Sequence, residues 1–175
     1  MDEPVRIEGT LVTLRPCEPH EVEVWFAGTR TVDPHLRPGG PPDRERLEER
    51  VARSGRLHGG SLDLAIDADG RMIGQIGTYE PPGAPLPPGV FQFGIELFEP
   101  GDRRRGYGSQ AISLLTQWLF DHAGATRVEA GTADDNHAMQ RVLERLGFHR
   151  DGISEAGGIE FLLYALERPG PAGGR

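Results

Sequence analysis

From Phe93 to Leu115 the chain reads FGIELFEPGDRRRGYGSQAISLL, an apolar, strand-like run that passes through three arginines and Gly-Tyr-Gly into the start of a helix. A helix begins with backbone N–H groups that have no intrahelical partner, and its dipole places about half a positive charge there. Gly106 and Gly108 remove the side chains that would keep a phosphate from those donors, and Arg103, Arg104 and Arg105 add full charges around the approach. A pyrophosphate is the guest such a joint suits. The plainer reading is a solvated turn whose glycines only set its geometry, and an isolated G-x-G does not choose between the two.

The rest of the chain supplies context. Val5 to Arg15 alternates apolar and polar residues and is halted by Pro16, as an opening strand is. CEPHEVEVWFAG brings Val22, Trp25 and Phe26 to helical spacing, and Asp43 is placed to cap a second, short and highly charged helix, RERLEERVAR. SLDLAI and RMIGQIGTYE flank Asp69-Gly70 and predict a hairpin. The five prolines of PPGAPLPPG, Pro81 to Gly89, predict a surface loop, since neither side alone would form a core. Next come a strand, VFQFGIELF, a helix, SQAISLLTQWLFDHAG, a strand, TRVEAGTA, and a helix, DDNHAMQRVLERLGF. HRDGIS and GIEFLLYALE close the fold as paired strands, and no internal repeat appears. The order predicts one α/β domain over residues 1–168, with 169–175 a disordered tail.

At 175 residues there is enough chain for one core and not two. With 19 basic against 27 acidic residues, net −8, generic attraction to nucleic acid or an anionic membrane is disfavoured, so any bound anion must be held by a local patch. No run approaches the ~18 apolar residues of a membrane span, and MDEPVRIEG lacks a signal-peptide pattern, which predicts a soluble cytoplasmic protein. The lone Cys17 excludes internal disulfides and fits a reducing compartment. It reads as a small, partly buried residue, not a nucleophile, and the six histidines form no metal-binding spacing. Trp25 and Trp118 fall at core positions of their helices. Every basic residue is arginine, beside 25 glycines and 15 prolines, the mark of a G+C-rich genome; against that bias the single asparagine, Asn136, stands out.

Without lysine there is no mononucleotide P-loop. GYGSQA satisfies G-x-G-x-x-A, the looser dinucleotide fingerprint, and Glu129 lies about 20 residues on, which would suit an NAD(P)-binding enzyme. In that fold, however, the glycines follow their strand directly; here Pro100 to Arg105 intervene and too little chain remains.

RRRGYG fits R/Q-x-x-G-x-G/A, the pyrophosphate loop of the GCN5-related N-acetyltransferases, with Arg103, Gly106 and Gly108 at the fixed places. DDNHAMQRVLERLGF resembles the second block of that family, N…LGF, with Asn136 on its asparagine, and the element order is similar across roughly residues 5–167. RVLERLGF followed by EFLLYALER is most similar to the ribosomal-protein alanine acetyltransferase (RimJ/RimL-type) branch.

The resemblance implies a mixed, strongly bent sheet with a splayed central strand pair and about four flanking helices. It implies acetyl-CoA as cosubstrate, in a cleft between the strand ending at Phe98 and the strand near Val128. Pantetheine would pair with the backbone of Glu96, Leu97 and Phe98, and Asn136 would bond to the same arm. The diphosphate would rest on Arg103, Arg104, Arg105, Gly106, Tyr107, Gly108 and Ser109, and the acetyl carbonyl on the N–H of Leu97 or Phe98. A primary amine would attack the thioester directly in a ternary complex, with Glu96 the first choice of general base and Glu80 the second. The places of the family's customary acids carry Leu143 and Met139, so either acid help is dispensable, CoA thiolate being a tolerable leaving group, or Ser109, His137 or Tyr164 serves. The acceptor is either a protein N-terminus or a small polyamine or aminoglycoside-like molecule, approaching between residues 25–56 and the proline loop. A non-catalytic CoA-binding protein is the reading from another class, another acyl-CoA is compatible with the same cleft, and the family's habits allow a homodimer through sheet edges or the C-terminal strands.

Overall fold

Asp69 and Gly70 both take positive φ, 54° and 79°, the pairing a two-residue hairpin turn needs, and the Asp67 carboxylate accepts the Gly70 N–H at 2.8 Å. A computed structural model describes residues 3–31, 40–81 and 83–171, and that turn joins the third and fourth strands of an eight-stranded sheet. The elements are β1 (Ile7–Glu8), β2 (Thr13–Arg15), α1 (Val22–Thr29), α2 (Arg44–Arg53), β3 (Leu62–Ala68), β4 (Arg71–Tyr79), β5 (Val90–Leu97), α3 (Tyr107–His122), β6 (Arg127–Thr132), α4 (His137–Arg145), β7 (His149–Ala156) and β8 (Ile159–Glu167). The strands form one sheet in the order β1-β2-β3-β4-β5-β6-β8-β7. Every neighbouring pair is antiparallel except β5 with β6. This is the mixed α/β sheet with four helices that was expected.

Boundaries shift by a few residues in several elements, and at two of them the cause is a glycine. The opening strand is two strands, because Gly9 turns the chain and donates its N–H to the Val12 carbonyl at 2.9 Å, bringing Ile7 opposite Leu14. The third helix starts at Tyr107, two residues early, because Gly106 at φ 81° ends the loop before it. The middle of the turn-rich segment after α1 (residues 32–39), Pro82 in the proline loop and the last four residues of the expected tail lie outside the described residues.

The sheet has a core on each face. Against one pack Ile112, Leu115 and Leu119 of α3 and Leu143 of α4, over Leu64, Ile66, Ile76, Phe93 and Val128. Against the other pack Trp25 of α1 and Leu47 and Val51 of α2, over Ala65, Met72 and Phe98. The charged RERLEERVAR folds as a helix because Asp43 accepts the Arg46 N–H at 2.8 Å while Leu47 and Val51 reach the core. Trp25 is fully buried under the Arg50 guanidinium, 4.5 Å from its ring centre. Trp118 is only half-buried, stacked on His122. Among the described residues no helix is long and apolar enough to cross a membrane.

Candidate active site

β5 runs beside β6 for only three residues, from Val90 opposite Arg127 to Gln92 opposite Glu129. Past that point β5 keeps β4 as its neighbour up to Leu97 opposite Gly74, while β6 keeps β8 up to Thr132 opposite Leu162. The two central strands therefore enclose a wedge. A side-chain bond closes its vertex: the Gln92 amide donates to Glu129 at 2.9 Å, and Arg127 Nε holds the other oxygen of Glu129 at 2.7 Å.

Main-chain direction along β5 follows from the ladder. Phe98 donates its N–H to Ile73 at 3.0 Å, on the β4 side, and the Gly89 carbonyl accepts from Thr126 at 2.8 Å, on the β6 side. Antiparallel alternation then turns Gln92, Gly94 and Glu96 toward β4, and Phe93, Ile95 and Leu97 toward the wedge. Phe98 does not fit its expected role. Its N–H is taken by Ile73 and its carbonyl accepts the Thr31 hydroxyl at 2.8 Å, so its main chain is already engaged and Leu97 is the donor that faces the opening.

The loop after β5 is pinned at both ends. Asp102 is buried and receives both terminal nitrogens of Arg71, at 3.1 and 2.8 Å. Gln110, in the first turn of α3, accepts the N–H groups of Leu11 and Val12 at 2.7 and 2.9 Å and donates to the Thr10 hydroxyl at 2.8 Å. Between these pins Arg103, Arg104 and Arg105 are exposed, and among the described residues none of their guanidinium groups is held by an ion pair or hydrogen bond. Gly106 leads into α3 with no side chain capping it and no acid in the first turn, leaving the N–H groups of Tyr107, Gly108 and Ser109 to the surroundings. Gly106 must be glycine for its φ; Gly108 need not be. A β-carbon on Gly108 would meet nothing nearer than the Ile95 and Leu97 side chains at 3.8 Å, so its bareness serves the approach and not the packing.

Glu96 is half-buried on β5, opposite Gln75 and on the face that carries Phe98. Glu80 is exposed beside the proline loop, with Gly60, Pro87 and Phe91. Five residue steps, along β4 and one past its end, separate Gln75 from Glu80, about 17 Å of extended chain, so the two carboxylates do not share a site. Asn136 caps α4, its side-chain oxygen accepting the Met139 N–H at 3.2 Å and its amide nitrogen left to donate elsewhere. Leu143 is fully buried core, and Tyr164 is buried with its hydroxyl donating to Glu144 at 3.2 Å. Burial first, then that carboxylate, pushes the Tyr164 phenol up. Ser109 is half-buried at the mouth of α3 and His137 is exposed at the start of α4. The Cys17 thiol is buried and pushed up to about 12, chiefly by burial, and so is protonated and inert near neutrality.

Glu129, which the dinucleotide reading would set on a ribose, is buried in the sheet between Gln92 and Arg127 and cannot play that part. Two residues escaped the sequence reading. Gln110 gives no local signal, because its partners are 98 to 100 residues away. Tyr79 stands opposite Gln92, and its ring edge lies 3.5 Å from where a Gly94 β-carbon would be. Although 45% of its surface is exposed, the protein crowding around it and the Glu129 charge push its phenol up. A tyrosine ending a strand that leads to a glycine two residues past its partner was the available hint.

The sequence matches the family described as Acetyltransferase (GNAT) domain over residues 12–149. A relative, Probable N-acetyltransferase YjcK of Bacillus subtilis (strain 168), is 26% identical over 161 residues, covering 85% of this chain and 86% of its own. The fold resembles RimL, a ribosomal L7/L12 alpha-N-protein acetyltransferase solved with coenzyme A, at a TM-score of 0.75 and 18% identity, over 93% of this chain and 98% of that one. It also resembles the aminoglycoside acetyltransferase AAC(6')-Ib in complex with coenzyme A, at 0.72 and 19%, over 90% and 95%.

Proposed function

This chain belongs to the GNAT acetyltransferase family and is an acetyl-CoA-dependent N-acetyltransferase, and from that premise we propose that it acetylates a primary amine by direct attack in a ternary complex seated in the β5–β6 wedge. The observation that carries this reading is the open edge of Phe93, Ile95 and Leu97, which ends at the uncapped, arginine-flanked start of α3. Pantetheine lies along that edge as a short added strand, with the Asn136 amide on the other side. The diphosphate rests on Arg103 to Ser109. Leu97, the edge residue nearest α3, meets the arm beside its diphosphate end, and an N–H deeper along the same edge receives the acetyl oxygen as charge develops on it. Glu96 takes a proton from the attacking amine, directly or through water; Glu80 belongs to the acceptor's approach.

For the acceptor, a protein N-terminal amine is the first reading. It is supported by the RVLERLGF and EFLLYALER segments and by the likeness to RimL, which acts on such an amine. A small polycationic amine is the second. It is favoured by the carboxylates of Glu129, Asp151 and Glu167, which outnumber the single Arg127 they surround, and by the likeness to AAC(6')-Ib.

The test is CoA thiol release from acetyl-CoA over a panel of free-N-terminus peptides, polyamines and aminoglycosides, with Glu96→Gln alongside. The variant is expected to lose roughly 10²- to 10⁴-fold in kcat with little change in KM for acetyl-CoA. Unchanged turnover removes Glu96 from the base role, and no release with any amine sinks the reading.

A further inference from the structure

Buried hydroxyls in this fold are served. Thr78 donates to Gly60 at 2.7 Å, Thr29 to Phe26 at 2.9 Å and Ser54 to Val51 at 2.9 Å. Thr132 is an exception: the residue is 4% exposed, and its Oγ1 has no hydrogen-bond partner among the described residues. Of the two threonines in that condition, the other being Thr116 within α3, Thr132 is the one on a strand bordering the wedge. It stands on β6 three residues past Glu129, the last residue of β6 with a partner on β5. Alternation puts it on the core face with Val128 and Ala130, where an alanine or valine would pack without an orphaned polar atom. A hydroxyl kept there wants a partner that the described residues do not provide.

Resting on the function proposed above, we propose that Thr132 is a catalytic residue whose O–H hydrogen-bonds to the sulphur of acetyl-CoA. The main-chain groups of Phe93, Ile95 and Leu97 serve the amides of the arm, and the α3 mouth fixes its diphosphate at the open end. The sulphur, at the far end of the arm, therefore lies inside the wedge against β6. In the reaction the amine lone pair forms the C–N bond, the C–S bond breaks and its electron pair goes to sulphur, and the ammonium proton goes to the Glu96 carboxylate. Thr132 transfers no proton. Its hydrogen bond strengthens as charge builds on sulphur, so it favours the departing thiolate over the thioester.

The test compares binding of CoA with that of desulfo-CoA, in which hydrogen replaces the thiol, by calorimetry on wild type, Thr132→Val and Thr132→Ser. Wild type is expected to prefer CoA by roughly three- to tenfold, the worth of one such bond. Thr132→Val should bring the two ligands within about twofold by weakening CoA alone, and should lower kcat about tenfold, more than it raises KM for acetyl-CoA. Thr132→Ser, which keeps the hydroxyl, should retain the preference. A preference that survives in Thr132→Val, or is absent from wild type, overturns the assignment to Thr132 while leaving the proposed function standing. Wild type that binds neither ligand overturns both.

Discussion

Arg127 and the run Arg103 to Arg105 carry the same planar cation and are treated in opposite ways. Arg127 starts β6 with Nε on Glu129 and its two terminal nitrogens on Asp151 and Glu167, so one side chain ties β6 to the last two strands. Burial works against its charge, but those three carboxylates together outweigh burial and raise its pKa. Arg15 is held likewise, between Glu21 at 2.7 and 2.9 Å and Asp67 at 2.7 Å. The three loop arginines lie between two pinned ends and, among the described residues, touch no carboxylate. A guanidinium already surrounded by carboxylates belongs to the fold, and one left to solvent at a bare helix mouth is available to an anion from outside.

Substituting each kind should therefore fail differently. Arg127→Met strands the buried Glu129 carboxylate at the wedge vertex with only Gln92 to serve it, which costs about 3 kcal/mol. That corresponds to a fall in Tm of roughly 6–12 °C for a domain of this size, with activity lost alongside stability. A Tm within about 2 °C of wild type would mean that the clamp contributes little. The combined Arg103→Ser, Arg104→Ser, Arg105→Ser variant should keep its ligand-free Tm within about 1 °C and raise KM for acetyl-CoA roughly 10- to 100-fold, each lost charged hydrogen bond to phosphate being worth about 0.5–1 kcal/mol at an exposed site. A falling Tm at unchanged KM would reverse the assignment.

The same contrast marks how much was legible in the sequence. The loop was, since its glycines, arginines and following helix are adjacent along the chain and their chemistry is local. The element order and the Asp69-Gly70 hairpin were legible for the same reason. The clamps were not: Arg127 meets partners 24 and 40 residues away, and nothing in TRVEAG distinguishes it from a solvated arginine. The direction of the Phe98 N–H depended on the phase of the β4–β5 ladder, which a one-residue slip inverts, and so the choice between Leu97 and Phe98 needed coordinates. The wide separation of Glu80 from Glu96 was hidden likewise, because both are acids near strand ends and only register tells them apart.

Acid should find the clamps before the loop. Burial alone would raise the Glu21 pKa, but the Arg15 hydrogen bonds and the Glu18 N–H outweigh it and hold Glu21 below its ordinary 4.5. A carboxylate depressed in the folded state adds stability that is complete above the unfolded value and is lost as pH falls through the folded one. Tm should be level from about pH 8 to pH 5 and drop below about pH 4.5, with Glu21→Gln starting lower and dropping less. An acid limb equally steep in Glu21→Gln would assign it to other carboxylates.

Salt gives the smallest effect and the cleanest separation, because screening reaches exposed charges and largely spares buried ones. Arg15 and Glu21 keep only 11% and 6% of their side-chain surface, so their attraction is felt through protein. The loop arginines stand in solvent. Raising salt from about 0.05 to about 0.5 M should weaken CoA binding roughly three- to tenfold while Tm moves less than about 2 °C. The triple serine variant should lose most of that sensitivity, because the cations responsible for it are gone. If its affinity falls with salt as steeply as wild type's, the phosphates are held by some other positive group, and the division between arginines of the fold and arginines for a guest does not hold.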